Sequence, residues 1–455
     1  IMYGMNSRLE RAADGSLHEN VWRADGMYGA AIRQIVQMLS QAIPYAENER
    51  QQSVIRKLIE FYETGNLAVF DAYTILWVEE TEGEVDFTNG FTEVYGDPLG
   101  LKASWEGYVN YTDHQATRRA QALSRNAQWF EDHSPVDARF KKPLCRGVSA
   151  KVINAAILGG DLYPSSAIGI NLPNSNWVRA EHGSKSVTIA NLTHAYDEAA
   201  RGNGFRNEFA DSTQTVSLMD RYGSVCDDLH TDLHECLGHG SGRLLPGVDP
   251  DALKAYGSTI EEARADLFGL YYLVDEKLVE LGLTPCQEAY KAQYYSYMMN
   301  GLLTQMVRIQ PGHQIEEAHM RNRALIARWT LEHYPQAVRL SEQDGKHYVE
   351  ILDYPLLRTA FGNLLAEIQR IKSEGDLQAA RQMVERYGVQ IDAKLHLEVL
   401  ERYSKLNLAP YKGFINPRYT PVCDSEGRIT DVHIDYLETY DEQMLRYSKQ
   451  YNTLI

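Results

Sequence analysis

Cysteine is scarce in this chain: five in 455 residues, Cys145, Cys226, Cys236, Cys286 and Cys423, with no CxxC pair. That excludes a disulfide framework and points to a reducing compartment, so a cytoplasmic location is expected. Long apolar runs are missing too. None nears the roughly 18 residues that read as a membrane-spanning helix. No basic-then-apolar signal pattern opens the sequence. Positive charge is in deficit, with 45 Lys and Arg against 62 Asp and Glu, a net −17. Such a chain repels nucleic acid at long range, so neither nucleic acid nor membrane is expected as a partner. Internal repeats and low-complexity runs are absent. A hydrophobic share of 44% and a charged share of 24% exclude disorder and fibre. Residue 1 is Ile rather than Met, which suggests a processed piece or a fragment of something longer.

What is present is mostly helical periodicity. The first sixty residues read as helix, with Ile32, Ile35, Val36 and Leu39, then Val54, Leu58, Ile59 and Tyr62, at helical spacing. From Asn66 to about Tyr111 the reading turns to extended chain. Val69–Val78 is rich in β-branched and aromatic residues, and two further extended pieces follow, 85–95 and 105–111. Residues 114–133 read as helix and about 206–405 mostly as long helices. After Pro410 the chain becomes irregular and ends in a helical tail. The expected class is α+β, predominantly helical: a large helical region and a smaller mixed one.

The sharpest local pattern is His234-Glu235-Cys236-Leu237-Gly238-His239. It is the zinc-peptidase pattern H-E-x-x-H with one residue inserted. On a regular helix, positions i and i+5 lie about 140° apart, so two imidazoles there would diverge. To share one metal they need a local bulge or unwinding, which Gly238 makes cheap. Imidazole suits zinc, and Glu235 is placed to take a proton from an attacking water. Cys236 reads as a small buried hydrophobe, since a fourth protein ligand would close the site. A third ligand is offered by Ser258-Thr259-Ile260-Glu261-Glu262-Ala263-Arg264-Ala265-Asp266. Taken alone this stretch reads better as a capping box at a helix start, Ser258 with Glu261 or Thr259 with Glu262. Beside the histidines, one carboxylate can bind metal while Glu261 and Asp266 accept N–H bonds from the ligating rings.

With both motifs, the chain resembles the dipeptidyl peptidase III family, whose pattern joins H-E-x-x-G-H to E-E-x-R-A-[DE] downstream. Three further segments are similar in the same order: Phe91-Thr92-Glu93-Val94-Tyr95-Gly96-Asp97-Pro98, Gly169-Ile170-Asn171-Leu172-Pro173-Asn174, and Ala318-His319-Met320 with Arg323. The resemblance is to a bacterial-type member lacking its upstream part. It implies one zinc ion per chain, on His234, His239 and Glu262, with Glu235 activating the water. Glu261 and Asp266 would orient the imidazoles. The family often has Glu where this chain has Asp266, so that contact is expected to change. Tyr95 and His319 would stabilise the oxyanion. Glu93, Asn171 and Asn174 would hold the substrate's amino terminus. Arg323 and Lys412 would engage its backbone or carboxylate.

The implied fold is two lobes around a wide cleft: a helical zinc-carrying lobe, 114–153 and 206–410, and a mixed lobe with a small β-barrel, 1–113, 154–205 and 411–455. Substrate would span both lobes. The implied activity is zinc-dependent release of dipeptides from short peptides with a free N-terminus. A separate N-terminal segment of the same protein is an expected partner. Two other readings stay open. One is a zinc aminopeptidase or oligoendopeptidase. The other is a noncatalytic peptide-binding protein with a vestigial metal site, against which the intact Glu235 speaks.

Overall fold

The computed structural model describes residues 4–94, 97, 101–145, 151–164, 169–183, 185–408 and 414–451. The chain forms two compact units, residues 1–114, 151–196 and 411–455 in the first, and 115–150 and 197–410 in the second. Helices predominate over short strands, an α+β fold. No helix among the described residues is long and apolar enough to cross a membrane.

The first unit opens on an antiparallel hairpin, β1 (Ser7–Arg11) and β2 (Leu17–Val21), where helix was expected. Turn chemistry decides it. Gly15 adopts a φ of 85°, and Asp14 Oδ1 accepts from Ser16 N at 2.9 Å. Helices Gly29–Ala42 and Glu49–Thr64 follow, the second capped by Asn48, whose side chain accepts from Gln51 N at 2.8 Å.

Leu67–Glu79, which reads as extended, is also a helix. Asn66 caps it through Ala68 N at 2.9 Å. Its Tyr73 hydroxyl pairs with Thr88 Oγ1 at 2.8 Å, and Trp77 Nε1 donates to Asp86 Oδ1 at 3.0 Å. Its apolar residues run all round, so no helical period shows in the sequence, and tertiary packing overrides strand propensity.

Thr88 and Asp86 belong to β3 (Val85–Glu93), the edge of a mixed sheet with β4 (Ser104–Thr112), β5 (Lys151–Gly160), β6 (Gly169–Leu172) and β7 (Lys185–Ile189). The order is β3-β4-β5-β7-β6, with β5 and β7 parallel and the other neighbours antiparallel. Among the described residues no ladder joins β3 to β6. The sheet nevertheless curls until its edges meet through a side chain: Asn174, just beyond β6, donates to Glu93 Oε1 at 3.0 Å. Residues after 413 return to this sheet. Buried Asn416 accepts from Leu158 N at 2.8 Å and donates to Leu158 O at 2.9 Å. A hairpin, Arg418–Cys423 with Ile429–Asp435, and a helix, Tyr440–Tyr451, complete the unit.

In the second unit two helices matter most: Thr213–Leu233, here the ligand helix, and Gly257–Tyr272, the carboxylate helix. The carboxylate helix packs against helices Tyr354–Glu374 and Ala318–His333 and against the turn that ends the ligand helix. Eleven of its 16 residues are buried, among them Ile260, Ala263, Leu267 and Leu270. Helix Tyr290–Leu302 packs on the ligand helix and on Ala318–His333. Such surroundings give the carboxylates of the carboxylate helix fixed neighbours rather than solvent.

Candidate metal centre

The ligand helix starts at Ser212, whose side chain accepts from Thr215 N at 3.2 Å, and runs without a break to Leu233. His234–Gly238 is then a π-helical turn, closed by His239 N donating to His234 O at 3.0 Å. One extra residue in the turn resolves the spacing problem. The two rings come to 4.7 Å between centroids, at 87° to each other. Gly238 has a further role here. A Cβ on it would lie 2.8 Å from Ala265 Cα and 2.9 Å from Ala265 O, so its bareness lets the turn lie against the carboxylate helix.

The ligand atoms of His234, His239 and Glu262 lie within 4.8 Å of one another. Glu262 Oε2 sits 3.2 Å from His234 Nε2 and 3.9 Å from His239 Nε2. That oxygen is buried and has no hydrogen-bond partner. Two ring nitrogens and an orphaned carboxylate oxygen, converging on one point, fit a metal ion.

Each ring is held from behind. His234 Nδ1 pairs with Asp266 Oδ1 at 2.7 Å, and His239 Nδ1 with Glu261 Oε1 at 2.8 Å. Such contacts fix the tautomer that leaves Nε2 free to ligate. The contact from Asp266 is direct despite its short arm. Burial depresses the His234 imidazolium, but Asp266 and Glu262 outweigh it and hold the group at about 10. A metal binding through Nε2 must therefore displace a proton, and its affinity falls with acidity. Burial would raise Asp266 and Glu261. The His234 bond outweighs it for Asp266, and the Arg264 charge with the His239 bond does so for Glu261, leaving both well below the usual carboxylate range.

The capping-box reading of 258–262 is not realised. Tyr256 stands at the helix start, no side chain caps it, and Glu261 and Glu262 serve the histidines instead. Glu235 is exposed on the π-turn, beside His234. Cys236 is buried and outside the ligand cluster. His319 lies in the first turn of helix Ala318–His333, capped by Glu317, and its Nδ1 is 3.5 Å from Glu262 Oε2. Arg323, one turn on, is half-buried and does not join the cluster. Burial pushes the Asp227 carboxyl up, while the charges of His230 and Arg323 pull it down.

Tyr95 and Lys412 lie outside the described residues, as does the side chain of Asn171. Glu93 and Asn174 are brought together by the sheet's curl. Two more carboxylates gather there. Thr92 Oγ1 donates to Glu106 Oε1 at 2.7 Å, and Ser104 Oγ donates to Glu93 O at 3.1 Å and to Asp161. Burial pushes Glu106 up to about 7, against the Thr92 bond, and the charges of Glu93 and Asp161 add to it. An unfolded chain ionises Glu106 near 4.5, so the folded chain holds an extra proton between the two values. Stability from this residue therefore falls as pH rises from about 4.5 to about 7. Glu106→Gln is expected to raise unfolding free energy by about 2–3 kcal/mol at pH 8 and hardly at pH 4. Urea titration at the two pH values checks this, and an equal effect at both would refute it.

The sequence model of Peptidase family M49 matches residues 6–254 and 250–405. The chain belongs to peptidase family M49. Dipeptidyl peptidase 3 of Mus musculus is 25% identical over 431 residues, 86% of this chain and 57% of that protein. The enzyme of the same name from Dictyostelium discoideum is 27% identical over 311 residues, 60% of this chain and 43% of its own length. The chain thus spans about half the length of these relatives. Among solved structures, DPP III from Caldithrix abyssi superposes with a TM-score of 0.70 at 20% identity, covering 89% of this chain and 73% of that one. Dipeptidyl-peptidase III from Corallococcus sp. strain EGB gives 0.57 at 23%, covering 89% and 72%.

Several residues with partners at these sites escaped the sequence reading. Arg264, fully buried, ties the two arms of the site together, and Lys372 pairs with Glu261. The R of the E-E-x-R pattern was the available signal for Arg264. Glu106, Asp161 and Lys372 lie outside every motif, and only the fold collects them.

Proposed function

We propose that this M49 chain carries the catalytic centre of a zinc-dependent dipeptidyl peptidase, which cleaves the second peptide bond from a free N-terminus. The observation that carries the reading is the convergence of His234, His239 and Glu262, each imidazole backed by its own carboxylate, with Glu235 alongside. Zinc bound there supplies a Lewis acid and lowers the pKa of water. Glu235 takes the proton of the attacking water and returns it to the leaving amine. His319, and Tyr95 by resemblance, donate where negative charge develops. Glu93 and Asn174, with Asn171, receive the substrate's ammonium, and Asp161 beside Glu93 favours a cation there. Arg323 and Lys412 would meet the substrate backbone or carboxylate.

The test pairs metal analysis with mass spectrometry of the products of an unblocked octapeptide. One zinc per chain and successive dipeptides support the reading. Single residues or internal cuts would assign an aminopeptidase or an endopeptidase instead. No cleavage by the zinc-loaded chain would leave a peptide-binding protein.

A further inference from the structure

Behind His234 the site has a third layer. Asp266 uses one oxygen for the His234 ring. Its other oxygen, Oδ2, accepts from the Tyr297 hydroxyl at 2.7 Å and from Asn322 Nδ2 at 2.8 Å. Tyr297 comes from helix Tyr290–Leu302 and Asn322 from helix Ala318–His333. Asn322 is 1% exposed and Tyr297 5%. A carboxylate buried this deeply needs its second oxygen satisfied. Both donors are neutral and act as donors only toward it, so Asp266 is held as an acceptor. Its remaining oxygen can then only receive the proton of His234 Nδ1. The arrangement is not a by-product of general polarity, because Asn322 Oδ1 is left buried without a partner. The amide is committed to Asp266 at the expense of its own carbonyl.

We infer that Tyr297 and Asn322 are positioning residues, which lock the short side chain of Asp266 so that His234 presents Nε2 to the metal. The inference rests on the metal-site reading given under Proposed function. Aspartate reaches one methylene less than glutamate. Its oxygen meets the ring only in a narrow range of orientations, and two helices supply the donors that select one.

The test is zinc affinity of the full chain by chelator competition, with the cobalt-substituted absorption spectrum as a second readout. Tyr297→Phe and Asn322→Ala should each weaken zinc binding about tenfold, and together about a hundredfold, the range expected for outer partners of a ligating histidine. The cobalt bands should shift or broaden in both. A merely structural role would lower the unfolding midpoint of the metal-stripped chain and leave affinity and spectrum unchanged. Asn322→Ser serves if Asn322→Ala does not fold. His234→Ala separates the two levels. If wild type binds no zinc, or His234→Ala binds it equally, the metal-site reading fails. If wild type binds one zinc that His234→Ala loses, while Tyr297→Phe and both Asn322 variants bind as wild type, the positioning inference alone is overturned.

Discussion

Glu235→Gln is expected to cut kcat for peptide hydrolysis by about 10²–10⁴-fold while leaving the metal in place, the range by which a positioned general base contributes. The residue is on the π-turn next to His234 but is not part of the His234, His239, Glu262 cluster. Glutamine keeps the shape and the hydrogen-bonding oxygen and loses only basicity. Metal content should therefore match wild type, and KM should change far less than kcat. Zinc analysis beside steady-state kinetics decides it. Turnover within a few-fold of wild type would mean that another group takes the proton. Loss of zinc together with activity would mean that Glu235 supports the site rather than the chemistry.

The second large effect concerns Arg264. Its side chain is 0% exposed and acts as a staple. One terminal nitrogen donates to Gly238 O at 2.7 Å, Ser241 Oγ at 2.6 Å and Ser241 O at 3.1 Å. The other donates to Glu261 Oε1 at 2.7 Å, and Nε to Glu261 Oε2 at 3.1 Å. Gly238 O, at the end of the π-turn, also accepts from Ser241 N at 3.2 Å and from Ser241 Oγ at 2.8 Å. Arg264→Ala removes the charged donor that Gly238 O and the Ser241 oxygens share, and leaves half-buried Glu261 with Lys372 and the His239 ring. Breaking a buried charged network from one side costs about 3–5 kcal/mol. We expect a denaturation midpoint lowered accordingly, with weaker zinc retention through His239. Arg264→Lys should recover little, because an ammonium cannot span the turn and the carboxylate as a guanidinium fork does. A wild-type midpoint for Arg264→Ala would show that the turn holds itself.

The two histidines of the cluster stood out because their pattern is local. His234 and His239 sit five apart, and the same spacing that looked wrong for a helix announced the π-turn. Glu261 and Glu262 were ambiguous in isolation, since a capping box uses the same letters; the helix is left uncapped by side chains, which no local pattern records. Most of 206–405 was legible as helix, whereas the hairpin within it, Val338–Gln343 with Lys346–Ile351, was not. Leu67–Glu79 was not, because a helix packed on several sides has no polar face to mark it. The opening hairpin was signalled only by Asp14-Gly15. Tyr297, Asn322, Glu106 and Asp161 were out of reach for one reason: each matters through a neighbour more than ten residues away.

One tie in the first unit bears on the order in which the chain can mature. Asn416 bonds both backbone groups of Leu158, across 258 residues. A ribosome finishes β5 long before it makes this partner, and the whole of 197–410 emerges in between. Until then β5 exposes an unmet N–H and C=O at that point. Loop closure over such a distance is slow. The second unit, whose His234, His239, Glu262 cluster and its backing carboxylates all fall between residues 234 and 266, can therefore settle while the first is still waiting for its last strand of chain.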